Sequence, residues 1–121
     1  MIISALVLLR CQTTSPQDSR LNPDLPTVGL LMYTGVLTTE VTAPLDVFTK
    51  LSEDGLRLFN VVTIAEGSQA IVSEEGLTMV PDYNFENAPK LAVLFVPSAY
   101  DMDAQLKNRN IIEFIQRQNE H

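Results

Sequence analysis

The chain has 121 residues, which is enough for one small domain. Its hydrophobic fraction of 45% and charged fraction of 19% are those of a globular protein and exclude a disordered chain. The net charge of −7 argues against a nucleic-acid surface, and no apolar run is long enough to span a bilayer. The only cysteine is Cys11 and the only histidine is His121, so we expect no disulfide, no metal site and no cofactor.

The first residues resemble an export segment. An apolar run at 2–9 precedes Arg10, Cys11 and a polar stretch, which is the order of a bacterial lipoprotein leader with Cys11 as the candidate for lipidation. There is no basic start, and Arg10 occupies the place of a small residue. A clipped export leader, an extra apolar segment and a misassigned start codon remain as alternatives. We predict a leader and tether over 1–25 and a domain over 26–121, periplasmic or membrane-anchored if the leader is real and otherwise cytoplasmic.

The domain begins with a strand and a helix. The run at 27–33 is apolar throughout, which is typical of a strand buried on both faces of a parallel sheet. Leu45 and Phe48 then follow a spacing of three, which predicts a helix over 41–51 with Pro44 in its first turn.

A second strand and a hairpin are predicted next. The β-branched run at 59–65 predicts another buried strand. Short runs at 70–73 and 77–80 flank a Glu-Glu-Gly turn and predict a hairpin. The polar stretch at 81–89, bounded by prolines, is interpreted as a loop.

The last predicted elements are a strand and a helix. The run at 91–96 predicts a third long strand, and Ile111, Ile112 and Ile115 lie on one face of a helix for which Asn108 is a candidate N-cap. Strands that alternate with helices indicate an α/β protein with a mainly parallel sheet. The last helix should lead into a further strand, so the sheet is predicted to be incomplete at the C-terminus, with one edge of the third strand unpaired.

Chemically interesting residues follow the strands. No glycine-rich phosphate loop is present after the first strand, which argues against dinucleotide and P-loop binding. Polar residues lie instead at the predicted carboxyl ends of the strands, where open α/β sheets bind their ligands. They belong to three segments, 35–48 (GVLTTEVTAPLDVF), 75–82 (EGLTMVPD) and 96–100 (VPSAY).

In their order and spacing these segments resemble the ThiJ/PfpI superfamily, also called the DJ-one/PfpI family, with its class I glutamine amidotransferase-like fold. The resemblance covers about 27–121. It implies a flavodoxin-like three-layer sandwich with a mainly parallel sheet, of which this chain would supply the N-terminal portion.

The resemblance also implies a site. Its nucleophile is a cysteine on a strand-to-helix elbow that would follow His121, so Cys11 does not match it. The acid partner matches Glu40, which would stay protonated and donate a hydrogen bond to the sulfur. The oxyanion-binding segment matches Ser98 and Ala99, where many members carry Gly-Gly. The residues alone leave two alternatives open, namely that Glu40 only favours a helix N-terminus and that Ser98 is a plain turn residue.

The function expected from the resemblance is that of a cysteine-dependent hydrolase, hydratase or lyase that acts on a small molecule. The alternative is a non-catalytic domain that senses a small molecule or binds a partner, as in the sensor halves of AraC-type regulators. Whether the chain belongs to an enzyme stays open, because the nucleophile is not in it. A homodimer is expected for the full-length parent.

Overall fold

The computed structural model describes residues 20–120, and they form an open α/β sheet. Its four strands are parallel and lie in the order β5-β2-β1-β6, while β3 and β4 form a separate antiparallel hairpin. The elements in chain order are β1 (Thr27–Leu31), α1 (Thr38–Phe48), β2 (Asn60–Ala65), β3 (Ile71–Val72), β4 (Thr78–Met79), β5 (Tyr83–Asn84), β6 (Val93–Phe95), α2 (Asp103–Lys107) and α3 (Arg109–Asn119). The predicted α/β class with a mainly parallel sheet is confirmed.

The central strand is buried on both faces, as its uninterrupted apolar run predicts. Every residue of β1 is buried, and β1 pairs in parallel with β2 on one side and with β6 on the other. Gly29 allows this close packing, since a Cβ at that position would lie 2.6 Å from the Leu91 side chain and 2.9 Å from that of Ile64. The strand thus places its carboxyl end, and the residues that follow it, between two neighbours.

Helix α1 differs from its prediction in both bounds. It begins at Thr38 rather than 41 and ends at Phe48 rather than 51, so Pro44 lies in its interior and not in its first turn. The residue of α1 that packs into the core is Val41, whereas Leu51 is exposed. The prediction missed the start because Leu37, at the N-cap position, makes no side-chain cap.

The hairpin is confirmed, and the loop after it contains a further strand. Gly76 has φ +89° at the tip between β3 and β4, a conformation that glycine adopts without steric cost. The stretch interpreted as a loop contains β5, which pairs in parallel with the end of β2. Its brevity explains the error, because an apolar pattern of two residues carries almost no periodicity.

Helix α3 is capped as predicted but buries a residue that the spacing missed. The Asn108 side chain accepts hydrogen bonds from the backbone N–H groups of Asn110 and Ile111. Ile111 and Phe114 are the buried residues of α3, whereas Ile112 is partly exposed. No helix in the described part of the chain is both long and apolar enough to cross a membrane.

Strand β6 forms one edge of the sheet and is apolar along its exposed side. Val93, Phe95 and Val96 are 45%, 38% and 47% exposed. Such an edge offers unpaired backbone groups to a further strand.

Part of the predicted leader packs against the domain. Leu21 lies against the core, and the backbone N–H of Asn22 donates to Oδ1 of buried Asn60 at 2.9 Å. The packed part of the chain therefore includes residues before the boundary expected at 26. Cys11 and the apolar run at 2–9 lie outside the described residues, and the leader stays a prediction.

Candidate active site

Glu40 and Ser98 meet at the edge of the sheet where β1 and β6 end. The Ser98 backbone N–H donates to Glu40 Oε2 at 2.6 Å, and the Ser98 hydroxyl donates to Oε1 at 2.7 Å. Both oxygens of the carboxylate are thereby held by one residue that is far away in sequence. The fold brings together these two predicted site residues.

The chain segments around them are fixed by backbone contacts. The N–H of Leu37 donates to the Ser98 carbonyl oxygen at 3.1 Å, and Val36 forms an antiparallel bridge with Ala99. The loop between β1 and α1 thus lies along the chain that follows β6. Glu40 comes in the first turn of α1, which directs it at that chain.

The carboxyl group of Glu40 is ionised near neutral pH. Hydrogen bonds from Ser98, first from its backbone N–H and then from its hydroxyl, lower the pKa of Glu40 and outweigh partial burial. The protonated state expected for Glu40 refers to a site that also contains a thiolate, and it stays a prediction.

Tyr33 orients the same peptide unit from its other end. Its hydroxyl donates to the Pro97 carbonyl oxygen at 2.6 Å, and this carbonyl shares a peptide bond with the N–H of Ser98. Burial, and then the charge of Glu40, raise the pKa of Tyr33, so the phenol remains a donor. The peptide plane between Pro97 and Ser98 is therefore held by Tyr33 on one side and by Glu40 on the other.

Both backbone donors predicted to form an oxyanion hole are engaged. The Ser98 N–H contacts Glu40, and the N–H of Ala99 points at Met102 Sδ, 3.1 Å away. Within residues 20–120, positive φ occurs only at glycines, so Ser98 and Ala99 both have ordinary backbone conformations. A substrate oxygen would have to displace Glu40 or Met102 to reach these groups.

Sequence reasoning missed Tyr33 and Met102 as parts of the site. Tyr33 ends the apolar run at 27–33 and its ring is buried, but its hydroxyl donates to the Pro97 carbonyl oxygen. Met102 is the N-cap residue of α2 and belongs to no recognised motif. Only the three-dimensional path of the chain after β6 places its sulfur against Ala99 and, at 3.5 Å, against the Tyr33 hydroxyl.

A cavity of about 370 Å³ lies beside the site and shares Tyr33 with it. Polar groups from Glu66, Gln69 and Gln105 line it together with apolar residues. The Glu66 carboxylate accepts hydrogen bonds from the side-chain amides of Asn108 and Asn110, which lower its pKa. The cavity is open to solvent, and its volume lies at the lower end of the range of small-molecule sites.

Comparisons with known proteins show the fold. No family model matches the chain, and its sequence matches no curated protein. A ThiJ/PfpI family protein from Pseudomonas syringae superposes with a TM-score of 0.70 at 22% identity, over 80% of this chain and 39% of that one. A DJ-1 superfamily protein from Salmonella typhimurium gives 0.66 at 24% identity, over 79% and 51%. A two-domain protein from Anabaena variabilis with DJ-1/ThiJ/PfpI-like and ferritin-like domains gives 0.62 at 21% identity, over 78% and 27%.

The chain therefore has the flavodoxin-like α/β fold of ThiJ/PfpI and DJ-1 superfamily structures, as the sequence resemblance predicted. It spans between 27% and 51% of the length of those three structures. At these identities the likeness shows the fold alone.

The lowered carboxylate pKa values predict an acid-sensitive fold. Hydrogen bonds from Thr38 lower the pKa of Glu75, as those from Ser98 lower the pKa of Glu40, from an ordinary 4.5. A depressed folded-state pKa stabilises the fold above the unfolded-state pKa, and that stabilisation is lost as the pH falls through the folded value. We expect the melting temperature to change little from about pH 7 to about pH 5 and to fall below about pH 4.5.

The variant Glu40→Gln should make this acid-induced fall shallower in a series of thermal melts. Glu74→Gln is the control, because the Glu74 side chain makes no hydrogen bond to another described residue. Equal pH profiles for the wild type and Glu40→Gln would contradict the assignment.

Proposed function

We propose that this chain supplies the acid and the backbone donors of a cysteine-dependent site, in a ThiJ/PfpI-like hydrolase, hydratase or lyase that acts on a small molecule. The observation that carries the proposal is the double hydrogen bond between Glu40 and Ser98 at the carboxyl ends of β1 and β6. The chain adds β2 and β5 on one side of β1 and β6 on the other, so the strand order reverses between β1 and β6. Open α/β sheets bind their ligands at the carboxyl ends of such a pair of strands. The nucleophile would come from a strand and elbow outside this chain.

Each residue has a distinct role in this proposal. Glu40 would act on the cysteine sulfur, to which a protonated carboxyl group donates a hydrogen bond that stabilises the thiolate. The N–H groups of Ser98 and Ala99 would stabilise negative charge that develops on a substrate oxygen. A sulfur beside Glu40 would favour the protonated form of its carboxyl group. Because a protonated carboxyl group is a weaker hydrogen-bond acceptor than a carboxylate, the Ser98 N–H would then be released from Glu40. The position of β6 at the end of the sheet supports this proposal, since the strand that would carry the elbow could pair with it.

A non-catalytic sensing domain is the second candidate. It is favoured by the engagement of Ser98 and Ala99 with side chains of the chain itself, which leaves neither backbone donor open to a substrate. In such a domain the neighbouring cavity would hold the ligand, and the Glu40–Ser98 pair would have a structural role. The homodimer, the location in the cell and the lipidation of Cys11 stay predictions in both cases.

The proposal predicts that Glu40 tunes a thiol. In a longer chain that extends through the elbow cysteine, Glu40→Leu should raise the pKa of the cysteine because it removes a donor to the thiolate. Glu40→Gln keeps an N–H donor and should have a smaller effect. Titration of the thiolate absorbance, together with alkylation rates at neutral pH, measures both, and we expect alkylation of the Leu variant to be slower by about tenfold.

Glu74→Gln serves as the matched control, since it removes a nearby carboxylate that does not contact Ser98. A thiol pKa that is the same in the wild type and in Glu40→Leu would overturn the catalytic role of Glu40. Saturable ligand binding by the longer chain, with no turnover and no dependence on the cysteine, would favour the sensing domain.

A further inference from the structure

The hairpin of β3 and β4 reaches across to the start of α1. Its tip residue Glu75 accepts, through Oε2, a hydrogen bond from the Thr38 backbone N–H at 2.9 Å and another from the Thr38 hydroxyl. Ser73 adds a third contact, with its Oγ 2.6 Å from Thr38 Oγ1. We call these three residues, Thr38, Ser73 and Glu75, the hairpin clamp.

Backbone hydrogen bonds hold the hairpin against the loop that precedes α1. The N–H of Gly35 donates to the Val72 carbonyl at 2.9 Å, and the N–H of Glu74 donates to the Val36 carbonyl at 2.9 Å. The other side of the same loop contacts Ser98 through the N–H of Leu37. The loop is thus enclosed between the hairpin and the candidate site.

The clamp replaces a cap that α1 does not have. Leu37 at the N-cap has no side-chain oxygen to accept the first N–H groups of the helix, and Glu75 accepts one of them instead. Its negative charge also suits a helix N-terminus. Glu40 belongs to that same first turn, and its own N–H bonds to the Leu37 carbonyl at 3.1 Å.

We infer that Glu75 is a positioning residue that acts through Thr38 to hold Glu40 in hydrogen-bonding range of Ser98. The catalytic meaning of this inference rests on the proposed function, whereas the mechanical coupling between Glu75 and Glu40 does not. Loss of the clamp frees the first turn of α1 and weakens the bonds between Glu40 and Ser98.

The sign of one pKa change separates positioning from simple charge. In Glu75→Ala, the loss of a nearby negative charge would by itself lower the pKa of Glu40, because like charges disfavour ionisation. Weaker bonds from Ser98 would instead raise it. We expect a rise, measured from the Glu40 carboxyl resonance by NMR titration of this chain, and exchange of the Ser98 amide hydrogen that is faster by about tenfold.

Three further variants complete the test. Glu74→Ala removes the neighbouring carboxylate without touching the clamp, so it should not raise the pKa of Glu40. Thr38→Val removes the hydroxyl that bonds Glu75 and should shift the Glu40 pKa in the same direction as Glu75→Ala. Thr38→Ser restores a hydroxyl and should return the pKa toward the wild-type value.

A Glu40 pKa that stays constant or falls in folded Glu75→Ala would overturn the inference. If Glu75→Ala does not fold, the comparison of Thr38→Val with Thr38→Ser decides, and equal Glu40 pKa values in those two variants would overturn it as well. Failure of the proposed function is a separate result, since it would appear as a thiol in the longer chain that does not respond to Glu40→Leu.

Discussion

Phe114→Ala is expected to lower the free energy of unfolding by about 3–5 kcal/mol, the usual range for removing a buried aromatic ring. Phe114 is 1% exposed and stacks on Phe85 with ring centroids 4.3 Å apart. The Arg117 side chain lies over the Phe114 ring and donates a hydrogen bond to the Phe85 carbonyl oxygen at 3.1 Å. One substitution therefore leaves a cavity and removes the contact that docks α3.

Urea denaturation of the wild type and the variant measures this difference. Ile112→Ala is the control on the same helix, because Ile112 is 39% exposed and loses less buried area. We expect its effect to be below about 1.5 kcal/mol. Similar losses in the two variants would contradict the burial of Phe114 as the main anchor of α3.

β1 could be predicted from sequence because the sheet buries it on both faces, whereas β6, predicted from a similar apolar run, leaves Val93 and Phe95 exposed. β1, β2 and β6 fall within the apolar or β-branched runs at 27–33, 59–65 and 91–96, and no amphipathic alternation was needed to find them. β5 was not predicted, since its two residues pair only with the end of β2. The position of such a strand depends on its neighbour and not on its own pattern.

The helix bounds show the same division between local and tertiary signals. The start of α3 was predicted because Asn108 caps it through its own side chain. The start of α1 was not, because the oxygen that receives its first N–H belongs to Glu75 on the hairpin. A cap supplied by a distant residue leaves no signature next to the helix that it caps.

The candidate site, too, could be predicted only in part from the sequence. Glu40 and Ser98 could be predicted to lie close together because both follow parallel strands at the same sheet edge. The contacts of Tyr33 and Met102 could not be predicted, since they depend on the path that the chain takes after β6, at residues 97–102. The engagement of both backbone donors is thus a result that only the structure provides.

Asn60→Ala is the second substitution with a large expected effect. Asn60 is 2% exposed, and its amide nitrogen donates to the carbonyl oxygens of Asn22 and Leu25 at 2.8 and 3.1 Å. Its oxygen accepts a hydrogen bond from the Asn22 N–H, so the side chain links residues 22–25, which precede β1, to the start of β2. Alanine would remove these bonds to partly buried backbone groups and the bond from the Asn60 amide to the buried Thr27 hydroxyl oxygen, which together cost about 1–3 kcal/mol.

Truncations test whether this contact or the bulk of the N-terminal segment stabilises the domain. We expect a chain that begins at Arg20 to keep the wild-type unfolding free energy, and a chain that begins at Pro26 to lose more than Asn60→Ala, because it also loses the packing of Leu21 against the core. Asn60→Ala in the shorter chain should cost less than in the full chain, because truncation already removes the hydrogen bonds to Asn22 and Leu25 and leaves only the one to Thr27 Oγ1. Full additivity in that double-mutant cycle, measured by chemical denaturation, would show that Asn60 acts through contacts other than those to residues 22–25.

Asn87→Ala is the matched control. Asn87 lies in an exposed loop, where its oxygen accepts only the N–H of Asn84 among the described residues, so its loss should be below about 1 kcal/mol.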